Sequence, residues 1–362
     1  MDFTDVEISL ITSLGLYSGI GRTASEIRRV LLPSIPKLKL YAFNYFDVAL
    51  PIGSVSISHH FARHYYEVPL VIKKNVKFIR QQGILETQNL HFLGADYSLS
   101  NISNNFAMML HEYYYTIPEI FRSYTFSGVL KEVGYNYNML KLKKTARRAN
   151  KIVVPSSYVA EQLKKQLGLN STVIHHTVDN NVFHPREREK VRKQLGIPQE
   201  KFVILNVSNG GSNKNLKTLE KIAAHLPENY ILLKINVPLG NARTLNLGMV
   251  SDNVYHLYFS AADAYIHTST HEGFGFPLLE SLKSGLPVVS NREATSEEIL
   301  SYAGLYTEDP MNYEEYIEQV KTIDDSKERS YLTEKCLSRS LDFSDEIATN
   351  KYLKFYKEAF NL

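Results

Sequence analysis

Short apolar runs rich in β-branched residues alternate with longer amphipathic stretches along this chain, and that alternation constrains its fold more than any other feature. The runs in the first half include VEISLITSL (6–14), KLKLYAF (37–43), NFAMML (105–110), KIVVP (151–155) and STVIH (171–175). KFVILNV (201–207), YILLKIN (230–236), AYIHT (264–268) and LPVVS (286–290) follow in the second. A strand that is apolar on both faces must be covered on both faces, and parallel neighbours are joined through crossover helices. The chain has 362 residues, 44% of them hydrophobic, which is too long for one ordinary core and enough for two. A polar, charged segment, FHPREREKVRKQLGIPQE (183–200), lies between the halves. The expected architecture is α/β: two Rossmann-like doubly wound domains facing a cleft, parted near residue 185.

Charge excludes several function classes. There are 41 basic and 38 acidic residues, a net charge of +3, too balanced for a nucleic-acid coat, so no nucleic-acid partner is expected. Cys336 is the only cysteine, which forbids an internal disulfide and suits a reducing compartment. The start, MDFTDVEISLITSL, is acidic before it is apolar, the reverse of a secretory signal. No apolar run approaches the roughly 20 residues that cross a bilayer. A cytoplasmic chain is expected, and the Asn-x-Ser/Thr matches at Asn101, Asn170 and Asn206 are read as chance.

Ligands of open parallel sheets sit beyond the carboxyl ends of the strands, so those loops are the candidate binding segments. After strand one, Gly19, Gly21 and Ala24 fit G-x-G-x-x-A, a pattern that lets backbone approach a phosphate at a helix N-terminus. A tight turn explains the glycines equally well. A dinucleotide site would also want an acid about 20 residues on. Asp47 is the nearest candidate and comes late, so an NAD-dependent oxidoreductase stays as an alternative. The run NFAMML leads into His111-Glu112, which is no zincin helix because Tyr115 stands where a second histidine would.

The stretch HEGFGFPLLESLKSGLPVVS (271–290) is richer. Pro277 suits the first turn of a helix, and Gly273, Phe274 and Gly275 lie just ahead of it. Their amides and the positive end of the helix dipole offer an anion site, where a phosphate belongs. Glu272 precedes the turn and Glu280 follows it, so the two point to different regions and do not form a paired-carboxylate hydrolase. One carboxylate on each side of a phosphate suggests a nucleotide-sugar, with sugar hydroxyls at Glu272 and ribose hydroxyls at Glu280. Two solvated glutamates at a helix start are the plain alternative.

These residues resemble the donor-binding half of the retaining glycosyltransferases of family 4, which have the GT-B fold. The match is carried by EGFGFPLLE with its E-x7-E frame, by SAADAYIHTSTHEG, by SGLPVVS and by NVSNGGSNKNLKTL. Weaker likeness covers SGIGR, VPSSYVAEQL, VIHHTVDNNVFHP and SLDFSDE. The resemblance implies a domain 1–184 that binds the acceptor, a domain 185–345 that binds the donor, and a last helix, 346–362, that crosses back to the first. It implies that Glu272 holds the transferred sugar, Glu280 the ribose and Lys214 the diphosphate, with the amides of Gly273 to Gly275 on phosphate and sugar. It also places His111 near the donor sugar and Gly19 and Gly21 at the diphosphate. The family commonly has an arginine six positions before the lysine, and this chain has Ser208 there.

The implied reaction moves a hexose-type sugar from a nucleoside-diphosphate sugar to a glycan, lipid-linked or other hydroxyl acceptor, with retention. The departing phosphate oxygen would accept the acceptor's proton, and His111, Lys214 and Glu272 would be the catalytic groups. Fixed donors aimed at the leaving phosphate would supply the main stabilisation. Asp-x-Asp is absent from the chain, so no metal and no separate cofactor are expected. The run KLKKTARRANK (141–151) carries six basic residues, either a solvated helix face or a peripheral contact with anionic lipid at the cytoplasmic membrane surface. The tyrosines of HEYYYTIPEIF (111–121) would stack on sugars or fill an amphipathic pocket. A non-catalytic sugar-binding scaffold and a nucleotide-sugar epimerase share the expected fold and stay open.

Overall fold

Among the described residues, twelve strands form two six-stranded sheets, and every pairing between them is parallel. The structure, a computed structural model, describes residues 3–12, 19–42, 89–94, 103, 105–111, 140 and 142–362. Asp47, Glu112, Lys141 and the remainder of 111–121 beyond His111 lie outside these residues.

The first compact unit is formed by residues 1–176 and 348–362. Its strands are β1 (Ile8–Thr12), β2 (Leu38–Ala42), β3 (Leu90–Leu93), β4 (Phe106–Met109), β5 (Lys151–Val154) and β6 (Thr172–Val173), in the order β2-β1-β3-β4-β5-β6. β1, β3 and β4 are buried along their whole length, as strands covered on both faces must be. Helix α1 (Gly19–Leu31) lays Ala24, Ile27 and Leu31 on one face of the sheet, beside Tyr352, Phe355 and Tyr356 of the last helix. Helix α2 (Ser157–Leu167) lays Val159 and Leu163 in the core that covers Phe92, Phe106 and Met108. Ser156 caps α2 by accepting from the Val159 amide at 3.3 Å.

The second unit is residues 177–347. It contains α3 (Arg188–Leu195), β7 (Phe202–Ser208), α4 (Leu216–His225), β8 (Tyr230–Asn236), β9 (Thr244–Gly248), α5 (Asp252–Ala261) and β10 (Ala264–His267). α6 (Phe276–Lys283), β11 (Val288–Asn291), α7 (Ala294–Leu300), β12 (Gly304–Thr307), α8 (Tyr313–Asp324) and α9 (Ser326–Ser340) follow, and then α10 (Asp345–Phe360), whose residues from Ala348 on belong to the first unit. Strand order is β12-β11-β10-β7-β8-β9, so the order reverses between β7 and β10. That is the switch point at which the loops after two adjacent strands diverge.

The sequence places the domain junction at 184/185, whereas the structure parts after His176. The reason is packing: Val178 and Phe183 are buried in the core of the second unit, with Phe183 edge-on to Phe259. The charged segment that reads as a linker is docked as well. Arg192 on α3 is 4% exposed and donates to the carbonyls of Ala261 (2.8 Å), Gln199 (3.1 Å) and Lys201 (3.0 Å) and to Asp263 Oδ2 (2.5 Å). Asp263 in turn accepts from the Val203 amide at 2.7 Å, which ties α3 to the start of the β7–β10 pair. The returning helix contributes residues 348–362 to the first unit, where His91 Nδ1 and the Tyr356 hydroxyl are 2.8 Å apart in the core. Cys336 is fully buried, and burial pushes its thiol up to about 12. No helix among the described residues is long and apolar enough to cross a membrane.

A buried guanidinium that loses its carboxylate keeps the desolvation cost and loses the attraction that offset it. Asp263→Ala should therefore destabilise the second unit by roughly 3–5 kcal/mol, read as a lowered urea midpoint. A midpoint within experimental error of wild type would show that α3 is held by packing alone.

Candidate active site

Two loops at the carboxyl end of the second sheet make the site. The first leaves β7 at Ser208 and passes through a 3₁₀ turn, Ser212–Lys214, before α4. The second leaves β10 at His267 and enters α6. Because β7 and β10 are neighbours, the loops meet. The Thr268 hydroxyl donates to the Lys214 carbonyl (2.8 Å), the Thr270 amide to the Asn213 carbonyl (2.8 Å), and the Asn213 side-chain amide to the His271 carbonyl (2.9 Å). Residues 58 positions apart are thereby brought into ion-pair contact: the Lys214 ammonium donates to Glu272 Oε1.

The pair is nearly sealed, with side-chain exposures of 18% for Lys214 and 10% for Glu272. Burial works to raise the Glu272 carboxyl, but the Lys214 ammonium, with a hydrogen bond from Ser269, outweighs it and holds the group below the usual carboxylate range. His267, under the pair, is pushed down to about 4, first by burial and then by Lys214, against the opposing pull of Glu272. It is a neutral imidazole at pH 7.

Backbone geometry fixes the second loop. Gly275 has φ +83°, a left-handed conformation that favours glycine, and a Cβ there would sit 3.0 Å from Leu278 Cδ1, which would have to give way. Pro277 follows in the first turn of α6. Gly273 is buried, and Phe274 turns its ring into the core against Phe276 and Phe343, anchoring the loop from below. Glu280 is 0% exposed, and its Oε2 accepts from the Tyr255 hydroxyl of α5 at 2.7 Å. Ser208 is buried and its hydroxyl donates to Asn206 Oδ1 at 2.7 Å, so that side chain is committed inside the sheet.

A third element enters from residues that belong to no motif of the sequence. The Thr295 hydroxyl donates to the Glu272 carbonyl at 2.8 Å, fixing its backbone. Glu293 caps α7, accepting from the amides of Thr295 (3.1 Å) and Ser296 (3.2 Å). Burial first, and then the charge of Glu272, push its carboxyl up to about 7, against the two amides and Lys214. Glu293 carries a sequence signal, a capping-type residue just before a helix. Tyr255 and His267 carry none, because their partners are far away in the chain.

The first unit holds the other sequence candidates. Gly19 and Gly21 lie in the first turn of α1, where their carbonyls accept from the hydroxyls of Thr23 (3.1 Å) and Ser25 (3.2 Å). The glycine loop expected from the sequence is thus a helix start at these two positions. His111 follows β4 with its ring centroid 5.9 Å from that of His176. Burial lowers His111 to about 3, which leaves a neutral imidazole.

Residues 187–336 match the model of the family described as glycosyl transferases group 1. The O-antigen chain mannosyltransferase B of Escherichia coli is 30% identical over 112 residues, 31% of this chain and 29% of that protein. A sulfoquinovosyl transferase of Arabidopsis thaliana is 25% identical over 262 residues, 66% of this chain and 49% of that protein. The matched stretch therefore spans less than half the length of either relative. Among solved structures, Anabaena HepE in complex with UDP-glucose superposes with a TM-score of 0.72 at 17% identity, covering 96% of this chain and 98% of that one. The fold is the two-domain GT-B fold of glycosyltransferases.

Glu293 yields a pH test. Its folded value, about 7, lies above its ordinary 4.5, so the stability it contributes is complete below about 4.5 and is lost as pH rises through 7. Glu293→Gln cannot ionise. Its stability relative to wild type should rise by on the order of 2–3 kcal/mol between pH 5 and pH 8.5. Urea unfolding at the two pH values measures this, and an equal difference at both would show that Glu293 does not titrate in the fold.

Proposed function

We propose that the protein is a retaining glycosyltransferase that moves a hexose-type sugar from a nucleoside-diphosphate sugar to a glycan, lipid-linked or other hydroxyl acceptor. The observation that carries this is the buried Lys214–Glu272 pair at the switch point of the second sheet, beside the N-terminus of α6. A buried cation and a helix terminus suit a diphosphate. A carboxylate held ionised beside them suits sugar hydroxyls. The family match over residues 187–336 and the mannosyl and sulfoquinovosyl transferases among the relatives support the same reading.

Glycosidic bond cleavage puts positive charge on the sugar and negative charge on the leaving diphosphate. In the proposed reaction Lys214 and the amides of Gly273 to Gly275 stabilise the diphosphate. Glu272 orients the sugar, and Glu280, released from Tyr255 or shared with it, takes the ribose. The leaving oxygen accepts the acceptor's proton, which is consistent with neutral imidazoles at His111 and His267. The roles of Gly19, Gly21 and His111 rest on the family resemblance. The basic run is the proposed contact with anionic lipid. Its Lys144 and Arg147 are exposed, while Lys151 is paired with Glu358.

A thermal-shift panel of UDP, GDP, ADP and their sugars tests the donor class, because a bound ligand raises stability by mass action. With the sugar nucleotide so found, Glu272→Gln and Lys214→Ala should each lower kcat/KM by roughly 10²- to 10³-fold. Near-normal transfer by both would refute their roles. Activity should persist in excess EDTA, and a loss restored by Mg²⁺ or Mn²⁺ would overturn the proposed metal-independent chemistry.

A further inference from the structure

Lys234 is the one charged residue in the strand YILLKIN, and it is 0% exposed. Its neighbours on β7 and β9 in the parallel register are Asn206 and Asn246. With Leu232 two residues earlier, it faces the side of the sheet that α4 covers through Leu219 and Ile222. The ammonium donates to the carbonyl of Ser208 at 2.7 Å and to that of Ile235 at 2.8 Å. Ser208 is the last residue of β7, so the charge lies at the root of the 209–215 loop.

A fully buried ammonium without a carboxylate partner destabilises a folded chain, and no carboxylate pairs with Lys234 among the described residues. The loop above it has a single cation, Lys214, whose charge Glu272 answers. An anion bound on that loop would be the counter-ion that Lys234 lacks.

We propose that Lys234 is a positioning residue for the diphosphate of the donor: it fixes the end of β7 through the Ser208 carbonyl and supplies positive charge from beneath the 209–215 loop. The inference rests on the donor reading above. Charge and position act together, because the loop that the ammonium holds is the one its field reaches.

Proton linkage separates this role from a merely structural one. Burial lowers Lys234 to about 8. A bound diphosphate favours the ammonium, so donor binding near pH 8 should take up protons and weaken as pH rises. The groups packed against Lys234 itself do not titrate in that range, but Glu293, pushed up to about 7 and coupled to Glu272 and Lys214 at the donor site, does, so the titrations are also made in Glu293→Gln, which cannot ionise. β7 presents Asn206 and Ser208, and β9 presents Asn246. Tyr316 of α8 is in the same core, where burial raises its hydroxyl, and Lys217, Glu220, Lys221 and His225 of α4 are exposed.

The test is calorimetric titration of UDP, GDP and ADP into the full chain and into Lys234→Met at pH 7 and pH 9, with two buffers of different ionisation enthalpy. Wild type should bind one of the nucleotides roughly tenfold more weakly at pH 9 than at pH 7, with proton uptake at pH 8. Lys234→Met should bind it about tenfold more weakly than wild type at pH 7, with no further loss at pH 9. Equal affinities of the two proteins at pH 7, or a wild-type affinity that holds to pH 9 without proton uptake, overturn the proposal and leave the donor reading in place. If Lys234→Met does not fold, the pH profile and proton uptake of Glu293→Gln, in which, of the two groups, only Lys234 is left to titrate near pH 8, decide instead. Wild type that binds none of the three nucleotides overturns the donor reading and this proposal together.

Discussion

The parallel pairing of β7 with β10 is the constraint on which the site depends. Ile204 lies opposite Ala264 and Leu205 opposite Tyr265, so two strands about 60 positions apart in the chain end side by side. Their loops are then forced together, and Lys214 meets Glu272. The pairing is held by more than its ladder. Asp263, next to β10, accepts from the Val203 amide of β7 and binds Arg192, while Asn206 donates to the Ile266 carbonyl at 2.9 Å. Moving either strand by one residue would exchange the side chains that face the two cores on either side of the sheet and shift the two loops out of register.

The second unit concentrates ionisable groups where water is excluded. Lys214, Glu272, Glu280, Glu293, Lys234 and His267 all lie at or beneath the carboxyl end of one sheet, and burial disfavours the charged forms of Glu272, Glu293, Lys234 and His267. Their environments drive them apart: Glu272 is held ionised by Lys214, Glu293 is pushed up by burial and by Glu272, and His267 is driven neutral. Such an arrangement costs stability and gives preorganised charge in return, as a group that must stabilise a leaving diphosphate requires. The first unit shows the same effect in its buried histidines, His91, His111 and His176, all lowered chiefly by burial.

Much of this was legible in residue order. Continuous apolar runs gave the parallel sheets: β1, β2, β4, β5, β6, β8 and β10 fall within the runs read as strands, and β7 and β11 each extend one residue beyond theirs. β3 escaped because LHFL is four residues long with a histidine inside, and β9 and β12 escaped because they are edge strands, half-buried and polar in part. Gly275 and Pro277 marked the start of α6 through local backbone chemistry. Residues 183–200 misled for a physical reason: Arg192 reads as solvated charge, and only the carbonyls of Gln199, Lys201 and Ala261 and the carboxylate of Asp263 make it a buried anchor.

The sequence by itself determined what depends on neighbours a few residues away: strand and helix periodicity, the α/β class, the glycine–proline turn, and Glu272 and Glu280 on either side of it. Tertiary structure decided what depends on distant groups. It paired Lys214 with Glu272, set Tyr255 against Glu280, brought Thr295 to the Glu272 backbone and turned the Ser208 hydroxyl inward. It also left the Lys234 ammonium dry beneath the loop. Charge state and hydrogen-bond partner are set by burial and by contacts across the fold, and neither is written in the local order of residues.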